Sequence, residues 1–272
     1  MARTATAHAL VLRSRPMHPL PVIHTMYWDN IPADILEQQR AVFAHLDLPL
    51  QQERAHQQPH GRWMTEVLER HSSDDVVIFC DIDAFPLHRQ ACLGAIAQAQ
   101  AGALFGLAQF SNHKPGTQVY AGPMFMALRK GLWEALGKPD LQTSKQHDAA
   151  EVLSALARER GIALAMPAPT ATLIPKWALG HEGVFGIGTF YGQRDFFHLF
   201  ESRKPAYGAL LAAVATVLPS RPAIVQYRNK LADAALKREQ STRLLALCRA
   251  AGVPLVINDS LALALEIGAD GA

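Results

Sequence analysis

Asp81 and Asp83 stand two positions apart, directly after the apolar run Val76-Val77-Ile78-Phe79-Cys80. In an extended backbone, side chains at i and i+2 project to the same side. Paired carboxylates form a hard oxygen site suited to Mg²⁺ or Mn²⁺. An ion held there can bind a diphosphate and neutralise its charge as it leaves. Asp-x-Asp alone arises by chance about once in a chain of this size. What marks this one is its place at the end of a buried strand, where open α/β sheets bind their ligands. Phe85-Pro86-Leu87 then turns the chain away.

A second polar group lies near the C-terminus. In Ala223-Ile224-Val225-Gln226-Tyr227-Arg228-Asn229-Lys230, the residues Gln226, Arg228 and Lys230 alternate and share one strand face. An amide, a guanidinium and an ammonium on one face suit a pyrophosphate. The next strand, Val253 to Ile257, finishes in Asn258-Asp259, a polar donor and a Mg²⁺-type ligand.

Regular elements must position these groups. Val22 to Met26, Val76 to Cys80, Ala103 to Leu107, Tyr120 to Leu128 and Ile162 to Met166 read as strands. Helical spacing joins Ile35, Val42 and Leu46, then Trp63, Val67 and Leu68, and further helices span Ala91 to Ala101 and Asp148 to Arg160. Strands alternating with helices predict an α/β fold with a mixed, largely parallel sheet and flanking helices. Gly183 to Gly192 reads as a loop, and its spacing fits neither the dinucleotide fingerprint nor the P-loop. After Ser202-Arg203-Lys204-Pro205, a helix opening at Asp233 and stopping at Gly252 joins two more strands. Two domains are expected, 1–205 and 206–272.

Composition excludes several classes. The 272 residues are 49% hydrophobic and 18% charged, enough apolar material for a core, so a disordered chain is ruled out. With 26 basic and 24 acidic side chains, no charge excess points to nucleic acid. Trp28, Trp63, Trp133 and Trp177 are too dispersed to stack bases. Cys80, Cys92 and Cys248 are too few for a disulfide framework, which fits a reducing compartment. The longest apolar run, Tyr207 to Leu218, falls short of the ~20 residues a transmembrane helix needs. A cytoplasmic location is expected, with peripheral contact to the inner face of the membrane as the variant. No Gly-x-Ser-x-Gly elbow is present.

From Val22 to Arg203 the Asp-x-Asp and its setting resemble the GT-A class of nucleotide-sugar glycosyltransferases. The resemblance implies that Asp81 and Asp83 hold Mn²⁺ or Mg²⁺ together with the donor diphosphate. Tyr120-Ala121-Gly122-Pro123 is similar to the family's glycine-containing strand beside the donor sugar, which gives Gly122 a donor-binding role. Gln146-His147-Asp148 is similar to the segment with an acidic residue near the reacting sugar. Asp148 is then a catalytic candidate, orienting the acceptor or acting as base; its alternative role is a helix N-cap. A late metal-binding histidine in the family falls on His198. A nucleotide-sugar donor and a saccharide or lipid-linked acceptor follow as partners.

From about Leu210 to Gly271 the chain resembles thiamine-phosphate synthase, a (β/α)8-barrel enzyme. That resemblance assigns pyrophosphate and Mg²⁺ binding to Gln226, Arg228, Lys230, Asn258 and Asp259. A barrel needs over ~200 residues, and this segment supplies one βαβ piece with open edges, which can also join a second copy. Glycosyl transfer is therefore the leading expectation. The alternatives are a truncated synthase relative, inactive alone, and a non-catalytic α/β binding module.

Overall fold

Every residue of the run Val76 to Cys80 is buried, and their alternation separates the layers. The computed structural model describes residues 19–114, 118–200, 222, 224–229, 232–258 and 260–272. The predicted junction near Pro205, the apolar run Tyr207 to Leu218, Arg203, Lys230 and Asp259 lie outside them.

The first strands are β1 (Ile23–Tyr27), β2 (Leu50–Arg54), β3 (Val76–Cys80), β4 (Ala84–Pro86), β5 (Leu104–Gln109), β6 (Tyr120–Arg129) and β7 (Leu164–Ala165). All but β4 form one sheet in the order β2-β1-β3-β6-β5-β7. β1 runs parallel to β2 and β3, and β5 parallel to β7, while β6 is antiparallel to both of its neighbours. The predicted mixed, largely parallel sheet is thus the one observed.

The intervening helices are α1 (Ala33–His45), α2 (His60–Glu69), α3 (Arg89–Gln100), α4 (Lys130–Ala135) and α5 (Glu151–Glu159). Val76, Ile78 and Cys80 point into one core with Phe43 of α1 and Ala95 and Ile96 of α3. Val77 and Phe79 point into the other, with Trp63 and Val67 of α2 and Leu153 of α5. Full burial of each large apolar side chain contributes ~1.5–3 kcal/mol.

A second sheet follows from β8 (Pro169–Ala178), β9 (Val184–Tyr191) and β10 (Phe196–His198), in the order β4-β10-β9-β8. This corrects the expected loop at Gly183 to Gly192, where β9 now stands. Its glycines are packing residues: a Cβ on Gly186 would sit 1.9 Å from the Ile174 carbonyl oxygen of the facing strand. Ligand-lid glycines and close-strand glycines look alike in sequence.

The C-terminal segment is β11 (Val225–Tyr227), α6 (Ala234–Ala251), β12 (Leu255–Ile257) and α7 (Leu261–Ile267). β11 and β12 pair in parallel, completing the expected βαβ piece. Asp233 caps α6 by accepting from the Leu236 N–H at 2.8 Å, and Gly252 ends it in the left-handed region. Leu244, Leu247 and Cys248 of α6 join the same continuous core as Ile187 and Phe196, and α6 packs on β8.

Candidate metal centre and cavity

β3 ends at Cys80, so Asp81 and Asp83 lie in the turn that leads into β4 rather than on an extended strand. This corrects the expected route to their convergence. The Ala84 N–H donates to the Asp81 carbonyl at 3.0 Å and closes the turn. The Asp81 N–H donates to the Met124 carbonyl at 2.9 Å, and the Leu199 N–H to the Asp83 carbonyl at 2.9 Å. The turn is therefore fastened to β6 and to the residue that follows β10.

β10 pairs antiparallel with β4, and this register sets His198 opposite Ala84. His198 Nε2 lies 3.1 Å from Asp83 Oδ1 and 3.8 Å from Asp81 Oδ2. Asp81, Asp83 and His198 offer ligand atoms that all lie within 4.8 Å of one another, the one such group of three among the described residues. One imidazole and two carboxylates suit a hard-to-borderline divalent cation such as Mn²⁺. His198 is 3% exposed, and its Nδ1 is buried with no hydrogen-bond partner among the described residues. The donor set and the pinned imidazole fit a metal ion.

The cluster forms the floor of a cavity of about 450 Å³. Tyr27, Trp28 and Ile31 make one wall, Gln109, Tyr120 and Met124 another, and Asp148 stands on its lining too. Its volume falls in the range of ~300–1,000 Å³ usual for small-molecule sites.

Asp148 is held by several donors. Thr143 Oγ1 donates to its Oδ1 at 3.2 Å, and the Ala149 N–H donates to the same oxygen at 2.8 Å. The expected N-cap role is not observed: α5 begins at Glu151, its N-cap is Ala150 with φ 61°, and no side chain caps it. Instead the Asp148 N–H donates to Glu151 Oε2 at 2.7 Å. Ser111 also reaches Glu151 Oε2, at 3.1 Å. Burial first, then the adjacent Asp148, push the Tyr120 hydroxyl well above its ordinary range, so it stays protonated. Burial, then Asp81 and Asp83, raise the Cys80 thiol in the same way.

Gly122 is not on the cavity lining. A Cβ there would meet Gln109 Oε1 and Met124 Sδ at 2.6 Å, and both of those side chains do line it. The structure also adds a residue that sequence reasoning missed. His60, the first residue of α2, lines the cavity with its Nε2 3.7 Å from Asp81 Oδ1 and its ring stacked on Trp63. In sequence, the helical spacing of Trp63, Val67 and Leu68 marks this helix, and it says nothing about Asp81.

The tail residues lie elsewhere. Gln226 Nε2 donates to Asn258 Oδ1 at 2.8 Å across the paired strand ends. Gln226, Arg228, Asn229 and Gln240 line a smaller hollow of about 180 Å³. The Asp81 group and the tail group thus belong to separate sites.

Residues 199–272 match the thiamine monophosphate synthase family. The thiamine-phosphate synthase of Azoarcus sp. (strain BH72) is 56% identical over 62 residues, which are 23% of this chain and 30% of that protein. That of Aromatoleum aromaticum is 47% identical over 74 residues, 27% of this chain and 36% of the relative. The chain thus spans about a third of the length of these curated relatives. Among solved structures, the mannosyltransferase PcManGT from Pyrobaculum calidifontis, in complex with GDP-Man and Mn²⁺, covers 91% of this chain and 78% of its own at 13% identity and a TM-score of 0.39. The galactosyltransferase LgtC, with donor and acceptor sugar analogs, covers 54% and 73% at 11% identity and a TM-score of 0.33. Overlaps this loose carry no argument about activity. No helix among the described residues is long and apolar enough to cross a membrane.

Proposed function

We propose that the first part of the chain is a metal-dependent glycosyltransferase that takes a sugar from a nucleotide-diphosphate donor to a saccharide or lipid-linked acceptor. The observation that carries this reading is the convergence of Asp81, Asp83 and His198 at the floor of a cavity that Asp148 also lines. Asp81, Asp83 and His198 would hold Mn²⁺ or Mg²⁺. Such an ion, when bound, supplies positive charge to a departing diphosphate. The lining contains no lysine or arginine among the described residues, so the chain's own groups leave that charge to the ion.

Asp148 accepts a proton from, or orients, an acceptor hydroxyl; its Oδ1 is fixed by Thr143 and the Ala149 N–H, so its carboxylate plane is set in advance. Tyr27 and Trp28 offer flat apolar area to a planar group of the donor. Gly122 keeps Gln109 and Met124 seated against the ligand space.

The test is release of nucleoside diphosphate from a panel of nucleotide sugars, followed by chromatography. The expected result is Mn²⁺-dependent turnover that Asp81→Ala and Asp83→Ala abolish. Turnover by neither the wild type nor any metal-loaded form, with the fold intact, would remove this reading.

A second reading applies to the tail alone. The family match and the Gln226–Asn258 contact support a pyrophosphate-binding remnant of a thiamine-phosphate synthase, with Arg228, Lys230 and Asp259 as further contacts. Binding of a pyrimidine pyrophosphate that Arg228→Ala weakens would bear it out, and no such binding would exclude it.

A further inference from the structure

We propose that Gln39 is the positioning residue of the Asp81–Asp83–His198 centre, and this rests on the metal reading above. Gln39 belongs to α1, far from the aspartates in sequence, yet it is only 3% exposed. Its Nε2 donates to the Asp81 carbonyl at 2.8 Å and to the Ala84 carbonyl at 3.2 Å. These two carbonyls begin and end the turn that carries both carboxylates. A single amide nitrogen, using both of its hydrogens, therefore spans the turn.

The orientation of that amide is itself determined. Gln52 Nε2 on β2 donates to Gln39 Oε1 at 3.0 Å and to the Leu36 carbonyl at 3.0 Å. An oxygen that accepts from Gln52 leaves only the nitrogen to face the turn, which settles the amide flip by the network. Arg40 donates to Gln52 Oε1 at 2.7 Å and secures the far end.

Backbone bonds already fasten the turn to β6 and to Leu199; Gln39 adds its side-chain hydrogen bonds from α1. Cys80 Sγ reaches the Ala84 carbonyl at 3.2 Å as a weak donor. Thr25 Oγ1 donates to the Cys80 carbonyl at 2.9 Å and so holds the strand end, not the turn. Without Gln39, the Asp81 carbonyl keeps its bond from Ala84 N–H and Ile82 keeps its apolar packing with Ile35 of α1, but the turn loses the two directional amide bonds from that helix. The two carboxylates would then lose their shared geometry before the fold is lost. α1 also starts just after the wall residues Tyr27, Trp28 and Ile31, so Gln39 fixes the centre relative to that wall.

The experiment is a Mn²⁺ titration of the full chain, read by the paramagnetic resonance signal of free Mn²⁺, with a melting curve for each protein. The wild type should bind Mn²⁺. Gln39→Leu should weaken binding by ~10- to ~100-fold, as is usual when an outer partner of metal ligands is lost. Gln52→Met should weaken it less, in the same direction, and it carries the test alone if Gln39→Leu does not fold. Ile96→Ala, in the core of α3, lowers the melting temperature and should leave Mn²⁺ affinity unchanged. Wild-type affinity in both glutamine variants would overturn the clamp while the metal reading stands. Loss of affinity in Ile96→Ala equal to that in Gln39→Leu would overturn it too. No Mn²⁺ binding by the wild type would remove the metal reading and the clamp with it.

Discussion

The two polar groups of this chain sit on βαβ-type scaffolds of very different support. β3 is five residues long and buried throughout, with helices covering both faces. The turn after it is bonded to β6, to the residue after β10 and to α1. β11 and β12 are three residues each, form a two-stranded sheet of their own, and present Gln226 and Arg228 at the surface. A site needs more than the right residue types at the right spacing. Its side chains must be held by packing and hydrogen bonds on several sides, because only then do they keep a geometry without reorganising. Asp81, Asp83, His198 and Asp148 meet that requirement. In the tail group, Gln226 donates to Asn258 across the ends of two short strands.

The largest expected effect follows from the metal ligands. Asp83→Ala, or removal of divalent cations with a chelator, should abolish nucleotide-sugar turnover, whereas Arg228→Ala should leave it at the wild-type level. Equal losses in the two variants would erase the contrast between the regions. Asp148→Asn comes next. It should lower turnover by about 10²- to 10⁴-fold, the usual contribution of a general base, with Mn²⁺ affinity retained in a titration.

Leu247→Ala in α6 tests how far the tail is structurally joined to the first part. Leu247 is fully buried in the core that also contains Ile187 and Phe196. The cost should be ~2–5 kcal/mol, seen by calorimetry as a shift of the whole melting transition. A separate early transition, with the main one unmoved, would make the tail an independent unit.

The smallest effect is a pH dependence. His24 of β1 is 5% exposed, with its Nε2 3.2 Å from that of His71. Burial first, then His71, lower its pKa below the ordinary 6.5. The unfolded chain therefore takes up a proton at about pH 6.5 that the folded chain refuses. Stability is then fully present above that pH and falls as the solution is acidified through it. Denaturant melts between pH 7.5 and 5.5 should show this loss, and His24→Gln should reduce it. A steeper loss in the variant would contradict the assignment.

Much of this was legible from residues alone. β3, β6 and α6 announced themselves because burial on both faces, or strong capping by Asp233 and Gly252, leaves a plain pattern. β2 did not, since Leu50–Arg54 is a polar edge strand with one apolar residue. β9 was hidden because glycines that admit a close facing strand read as loop residues, and β8 because Pro169 and Pro175 argue against a strand. The carboxylate pair could be found by its spacing. Its partners could not be found that way: His60 and Gln39 reach the Asp81 turn through tertiary packing, and no local pattern encodes a contact between distant elements. Asp148, singled out in the sequence, lines the cavity, but the Ala150 start of α5 leaves it out of the cap position.

The central claim is that the cavity above Asp81, Asp83 and His198 takes a nucleotide sugar through a divalent cation. A thermal-shift series of nucleotide sugars, with Mn²⁺ and with chelator, tests it most directly, since a ligand bound only by the native state must raise the melting temperature. The account predicts a rise for at least one nucleotide sugar that needs Mn²⁺ and disappears in Asp83→Ala. A rise of the same size in chelator, or none with any donor in the folded wild type, would contradict it.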